Sequence, residues 1–339
     1  VVANFAIDTF DLNYSAGPGG SISGDTSQTV NYGASGTQVT AIPDTNFHFV
    51  DWSDGVETDS RTDSNVTSDI NVTANFAANT HTVTSSVGTP SGTITPEGGQ
   101  TVDHGLTTQF TLTPATNYHI ASVAGTCGGS LVGNTYTTAA IIADCTVVAN
   151  FAIDTYTVSS SVGTPSGSID PVGDQTVDHG ATRQFTLTPS TNHHIASVGG
   201  SCGGSLVGDT YTTAPVTDDC SVVANFAIDT FDLIYTAGAN GSITGNTSQT
   251  VDYGASGTPV TAVADDNYHF VNWSDGVTSA SRTDTNVTAD ISVTANFAID
   301  SHSVIPVVGT PSGAISPSVV QSVEHGATTQ FTLNPADNY

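Results

Sequence analysis

Four cysteines, two tryptophans, three arginines and ten histidines are the residues of this 339-residue sequence with the most chemistry to offer. Cys127 and Cys145 stand as far apart as Cys202 and Cys220, and each pair lies inside one of two closely similar segments. An even count, equal spacing and confinement to a repeated segment predict the disulfides Cys127–Cys145 and Cys202–Cys220 rather than free thiols. Two cysteines with no C-x-x-C or neighbouring His-x-x-His fall short of the four ligands of a structural zinc. Closing loops of this size stabilises by about 3 kcal/mol in the chain-entropy picture. Such bonds imply an oxidising compartment.

The stretch WSDGV occurs at 52–56 and again at 273–277, and Arg-Thr-Asp follows at 61–63 and 282–284. Both tryptophans and two of the three arginines are spent on one constellation written twice. Trp52 and Trp273 are read as core anchors at the ends of strands; the alternative is a pair of exposed platforms that bind glycans by stacking. Asp54, Asp63 and Asp69, matched by Asp275, Asp284 and Asp290, form oxygen-only groups of the kind that suits Ca²⁺. Their spacing fits no EF-hand, and Arg61 or Arg282 in their midst neutralises carboxylate charge. Solvated turn aspartates with an Arg–Asp pair are therefore expected, with Ca²⁺ at these six as the alternative and no other cofactor.

Most histidines recur at fixed places: His104, His179 and His325 in V-[DE]-H-G, and His48, His119, His194 and His269 before Phe or Ile. Tyr32 and Tyr253 stand where His104 and His179 do elsewhere. A Tyr-for-His exchange suits a half-exposed ring with a polar tip, and zinc is not expected. Catalysis finds no motif: no G-x-S-x-G, no Walker loop, no H-E-x-x-H. The chain is read as a non-enzyme.

Charge narrows the partners. There is no lysine, 31 residues are acidic, and the formal net charge is −28. Phosphate binding needs clustered Lys and Arg, so nucleic acid is excluded. No apolar run approaches the roughly 20 residues of a membrane-spanning helix. The missing lysine also removes Lys–Asn isopeptide cross-links and lysine-linked polymerisation.

The elements that hold these residues come from repetition. Residues 10–80, from FDLNYSAGPGGSISG, align without gaps to 231–301, from FDLIYTAGANGSITG (type A). Residues 81–155 align likewise to 156–230 (type B), and 302–339 restarts type B. Residues 1–9 repeat 222–230, the tail of a B unit. Types A and B are distant copies of each other: QTVNYG matches QTVDHG, and TANFA matches VANFA. In ISVTANF, Ile291, Val293, Ala295 and Phe297 alternate with polar residues, the period-2 pattern of a half-buried strand. Turn residues separate four further strands per unit, and no helical period is sustained. The expected fold is all-β: a tandem array of small antiparallel sheet or sandwich modules of about 70–75 residues, the B type stapled by disulfides. Links of about four residues (Ala-Ile-Asp-Thr) with no flexible spacer predict a stiff string of modules.

The residues Gly241-Ser242-Ile243, Tyr253-Gly254, Val260-Thr261-Ala262, Phe270, Trp273 and Val293-Thr294-Ala295-Asn296-Phe297 resemble the divergent internalin B-repeat class of bacterial extracellular repeats. Type B departs by lacking the Trp. The resemblance implies a bacterial, extracellular or cell-surface setting and a role as stalk, spacer or adhesive part, and it carries no catalytic residues. The functional expectation is a structural segment of a surface fibre. Its partners are then neighbouring repeats of a longer array and laterally associated fibres. The alternative is an adhesin module binding glycans or a host-surface protein.

Overall fold

A computed structural model describes residues 1–337; the last two residues of the segment 302–339 lie outside the described residues. Every regular element among the described residues is a β-strand. Two compact units divide the chain, Val1–Thr155 and the part from Tyr156 onward.

The first module shows the plan. Its strands are β1 (Thr9–Ala16), β2 (Gly20–Ser23), β3 (Ser27–Asn31), β4 (Val39–Pro43), β5 (Phe47–Trp52), β6 (Ser60–Arg61) and β7 (Ile70–Ala78). They form a four-stranded sheet in the order β3-β1-β7-β5 and a three-stranded sheet β2-β4-β6. Pairing is antiparallel except between β1 and β7, which run parallel with Leu12 opposite Ile70. That parallel pair sets the first strand of the module beside its last, closing the module on itself. The sequence pattern shows the strands but not this pairing, because alternation specifies which face is buried and not which neighbour is met.

Period-2 alternation does place the core. Leu12 and Tyr14 of β1, Val39 and Ala41 of β4, Trp52, and Val72 and Ala74 of β7 meet between the two sheets. In the other A module Leu233, Tyr235, Val260, Ala262, Trp273, Val293 and Ala295 do the same. One glycine position, repeated in four modules, is dictated by packing against a phenylalanine. A Cβ at Gly20 would enter the Phe76 ring, and Gly92, Gly167 and Gly241 meet Phe151, Phe226 and Phe297 in the same way. The recurring Gly-Ser-Ile and Asn-Phe are thus two halves of one contact.

The B module is built from β8 (Thr80–Val87), β9 (Gly92–Thr95), β10 (Gly98–Asp103), β11 (Gln109–Pro114), β12 (Tyr118–Gly125), β13 (Gly129–Val132), β14 (Thr135–Thr138) and β15 (Cys145–Ile153). Its sheets are β10-β8-β15-β12 and β13-β14-β11-β9, with β8 and β15 parallel. β14 takes the place of β6, and β13, paired with β14, is the addition to the A plan. Further along the chain the strands from Thr155–Val162 to Cys220–Ile228 repeat these sheets, and those from Thr230–Ala237 to Ile291–Ile299 repeat the A sheets. The final segment pairs Ser301–Val304 with Gln321–Glu324 and Gly313–Ser316 with Thr332–Pro335. There Leu333 is 73% exposed, whereas Leu112 and Leu187 are at 0%.

The link between modules is shorter than the sequence suggests. Ala77 and Ala78 still pair with His48 and Phe47, so β7 runs to Ala78 and β8 starts at Thr80. A single residue, Asn79, separates them. Asp229 stands alone in the same way between Ile228 and Thr230, and Asp300 between Ile299 and Ser301. The Ala-Ile of the expected linker contains no strand breaker, and the ladder continues through it.

Candidate functional site

Trp52 ends β5, where the bulge between Phe49 and Asp51 turns its side chain inward opposite Ala74. It is 0% exposed, as is Trp273. Each indole N–H donates to a loop carbonyl at 3.0 Å, Thr58 O for Trp52 and Ser279 O for Trp273. Both rings are enclosed, so neither offers a face to a sugar; the alternative glycan reading of Trp52 and Trp273 is corrected by their burial.

Arg61 lies over the Trp52 ring, its guanidinium carbon 5.1 Å from the ring centroid and 5.8 Å from that of Tyr14. Its nitrogens donate two bonds to Asp54 (2.9 and 3.0 Å) and two to Asp63 (3.1 and 2.6 Å). The Tyr14 hydroxyl adds a bond to Asp63 Oδ2 at 2.7 Å. The second copy repeats the set, with Arg282 held by Asp275 and Asp284 and Tyr235 donating to Asp284 at 2.6 Å. Planar guanidinium forks match two carboxylates at once and stack on an aromatic face, so the arginine joins the core while its charge is satisfied.

Titration follows from these contacts. The Arg61 hydrogen bonds hold the Asp54 carboxyl below its ordinary value. Burial pushes Asp284 up, but the bonds from Arg282 and Tyr235 outweigh it and the net direction is down. Burial, reinforced by the neighbouring carboxylate, pushes the phenols of Tyr14 and Tyr235 up.

The six aspartates proposed for Ca²⁺ do not assemble as a site. Asp54 and Asp63 face one guanidinium, which takes the place of a cation, and Asp275 and Asp284 face the other. Asp69 is elsewhere, accepting the Asp11 N–H at 2.9 Å, as Asp290 accepts that of Asp232. The Ca²⁺ alternative is corrected for this physical reason.

In the B modules Cys127 is bonded to Cys145 and Cys202 to Cys220, with Cα–Cα distances of 5.0 and 4.9 Å. The disulfide does not by itself fill the volume of the missing indole. In β12 the residue opposite Ala149, the place of Trp52 opposite Ala74, is Val123. The facing strand compensates: Val39 and Ala41 of β4 correspond to Phe110 and Leu112 of β11, both 0% exposed. Type A packs a large ring against small residues and type B a small residue against large ones, conserving volume. The Tyr136 hydroxyl, and that of Tyr211 in the other copy, donates to the carbonyl of Gly128 or Gly203 beside the disulfide.

Sequence reasoning missed the role of the single residues between modules. Asn79 donates its N–H to Asn46 O (2.8 Å) in the preceding module and accepts from His104 N (2.7 Å) in the following one. Its Oδ1 also accepts from His48 Nδ1 at 3.1 Å. Asp229 bonds Asn192 O, Tyr253 N and His194, and Asp300 bonds Asn267 O, His325 N and His269, at 2.7–3.0 Å. Asn46 has φ of 66° and Asn267 of 70°, the left-handed turn conformation that asparagine tolerates and that aims its carbonyl at the junction. The signal was present: an Asn or Asp at 79, 154, 229 and 300, and a His at 48, 119, 194 and 269. A carboxylate or amide oxygen only accepts, so the proton sits on the histidine Nδ1.

Tandem sandwiches with duplicated buried anchors and hydrogen-bonded one-residue junctions define a modular β-repeat protein. The model of the divergent InlB B-repeat domain matches residues 10–80, 81–155 and 231–301, and the chain belongs to that family. The match at 81–155 includes a module without the tryptophan. No curated protein matches the chain. A solved structure of the Bacillus anthracis TIE protein aligns over 98% of this chain and 68% of its own, at 9% identity and a TM-score of 0.24.

Proposed function

We propose that this chain is a non-catalytic structural segment of a bacterial surface or secreted fibre or stalk, with the repeats as spacers. The observation that carries the reading is the junction. At Asn79, Asp229 and Asp300 one residue separates successive modules, and its N–H and C=O are bonded to the modules on either side. These bonds tie the modules on either side of such a residue to it, which favours a spacer. Disulfides inside the B modules and the repeat family favour an extracellular setting. A net charge of −28 disfavours collapse of neighbouring modules onto one another.

Small-angle scattering of the full chain in ~0.15 M salt tests the proposal, since screening there suppresses long-range repulsion. Modules roughly 25–35 Å across, set end to end, give a radius of gyration of about 35–45 Å, whereas a compact chain of this length gives about 20 Å. A value near the compact figure rejects the spacer role.

A further inference from the structure

The histidines that open the B modules meet in pairs. His81 on β8 and His104 in the turn after β10 place Nε2 and Nδ1 3.0 Å apart. His302 and His325 repeat the arrangement at 3.3 Å. The corresponding rings are Phe10 with Tyr32 and Phe231 with Tyr253 in the A modules, and Tyr156 with His179 in the other B module. All are tilted pairs with centroids 5.3–6.2 Å apart. A ring pair is therefore a packing element throughout, and only two copies make both rings imidazole.

We propose that the His81–His104 and His302–His325 pairs each bind a divalent transition-metal ion, of the Zn²⁺, Ni²⁺ or Cu²⁺ class, through His81 or His302 Nε2 and His104 or His325 Nδ1. Two nitrogens each ~2.0–2.1 Å from one metal are about 2.9 Å apart at right angles and about 3.4 Å apart in a tetrahedron. The observed 3.0 and 3.3 Å fall within that bite. Imidazole nitrogen selects these ions over Ca²⁺ and Mg²⁺.

The proton accounting is consistent. In the metal-free pair one ring donates its N–H to the other; on binding, that ring moves the proton to its second nitrogen and the lone pair turns to the metal. For His81 the second nitrogen is Nδ1, which has Asp144 Oδ1 at 3.9 Å, a charge nearby but beyond hydrogen-bond length. Asp144 is anchored there by the Thr82 N–H at 2.8 Å. Among the described residues no three His, Cys, Asp or Glu side chains converge, so each pair supplies two ligands and water completes the shell. The acidic surface raises the local concentration of cations.

The chain contains its own control. In the middle B module Tyr156 stands in the place of His81, and His179 Nδ1 is buried with no hydrogen-bond partner. His81→Tyr is thus a substitution that a sister module already accommodates, and Tyr156→His is its converse. Equilibrium dialysis of the intact chain against Zn²⁺ in ~0.15 M salt, which screens diffuse cation attraction, gives the count of bound ions. Nitrogen NMR of the histidine rings identifies the ligands. Two saturable Zn²⁺ per chain are expected, one after His81→Tyr, none after His81→Tyr with His302→Tyr, and three after Tyr156→His. The ring signals of His81 and His104 should shift together, with His48 and His119 unmoved. Acid should release the metal, because protons compete for the same lone pairs. A count that does not change with these substitutions, or binding that never saturates, overturns the proposal.

Discussion

The guanidinium carbon of Arg61 lies 5.1 Å from the centroid of the Trp52 ring, and that of Arg282 lies 5.2 Å from Trp273. Each pair is enclosed, with the indole at 0% and the arginine at 8% exposure. The most polar side chain in the A module therefore packs flat on the largest apolar one. Two aspartates and a tyrosine hydroxyl complete its surroundings. Removing the ring and removing the cation should have different consequences.

Trp52→Ala should destabilise the first module by about 3–5 kcal/mol, the usual cost of deleting a buried aromatic ring. Hydrogen exchange across residues 9–78 measures it. Trp52→Val combined with Val39→Phe and Ala41→Leu imports the B-module packing and should recover part of the loss. If the triple variant is no better than Trp52→Val alone, the volume-exchange account fails.

Arg61→Leu leaves Asp63, whose side chain is 16% exposed, without its cation. A loss of about 3 kcal/mol is expected, as for other broken buried pairs. Asp69→Asn, on an exposed site where the amide oxygen still accepts the Asp11 N–H, should stay within ~0.5 kcal/mol. Urea unfolding of the single variants reads the order, and equal losses contradict the assignment.

Reduction should affect one module type. Breaking Cys127–Cys145 and Cys202–Cys220 should cost each B module about 3 kcal/mol. Exchange should accelerate in residues 81–153 and 156–228 and remain unchanged in 10–78 and 231–299. Acceleration in the A modules would show that the modules are energetically coupled.

The pH dependence has two limbs of opposite sign. Asp54 and Asp284 are held below the ordinary 3.8, so their stabilisation is present above that pH and is lost as pH falls through their lowered values. Tyr14 and Tyr235 are pushed above the ordinary 10.0, as are Tyr136 and Tyr211 by burial. Their contribution is full below pH 10 and declines as pH rises beyond it. Thermal melts should show the acid limb weakened by Asp54→Asn and the alkaline limb by Tyr14→Phe. An unchanged profile in either variant contradicts the corresponding limb.

Much of this was legible in the residues. The strands followed from alternation such as Val293 and Ala295 against Ser292 and Asn296, and the modules from near-verbatim repetition. The cysteine pairs were legible because repetition confined each to one module. The Arg–Asp pairing was visible as the expected neutral arrangement, but not its stacking on Trp52, since residues so close in sequence say nothing about face. The parallel pairing of β1 with β7 left no mark, because register is set by neighbours distant in sequence. The His81–His104 pair was hidden because the same two positions carry Phe and Tyr elsewhere. Comparing positions 10, 81, 156, 231 and 302 with 32, 104, 179, 253 and 325 as pairs would have found it.

The rigidity of the junction is the claim on which the spacer role rests, and Asn79 permits a direct measurement within one compact unit. Spin labels at Glu57→Cys and Asn134→Cys, both exposed, report the distance between the first two modules by pulsed dipolar spectroscopy. A single narrow distribution is predicted, and Asn79→Pro, which removes the N–H bonded to Asn46 O, should broaden it. A distribution already broad in the unmodified junction would contradict the account.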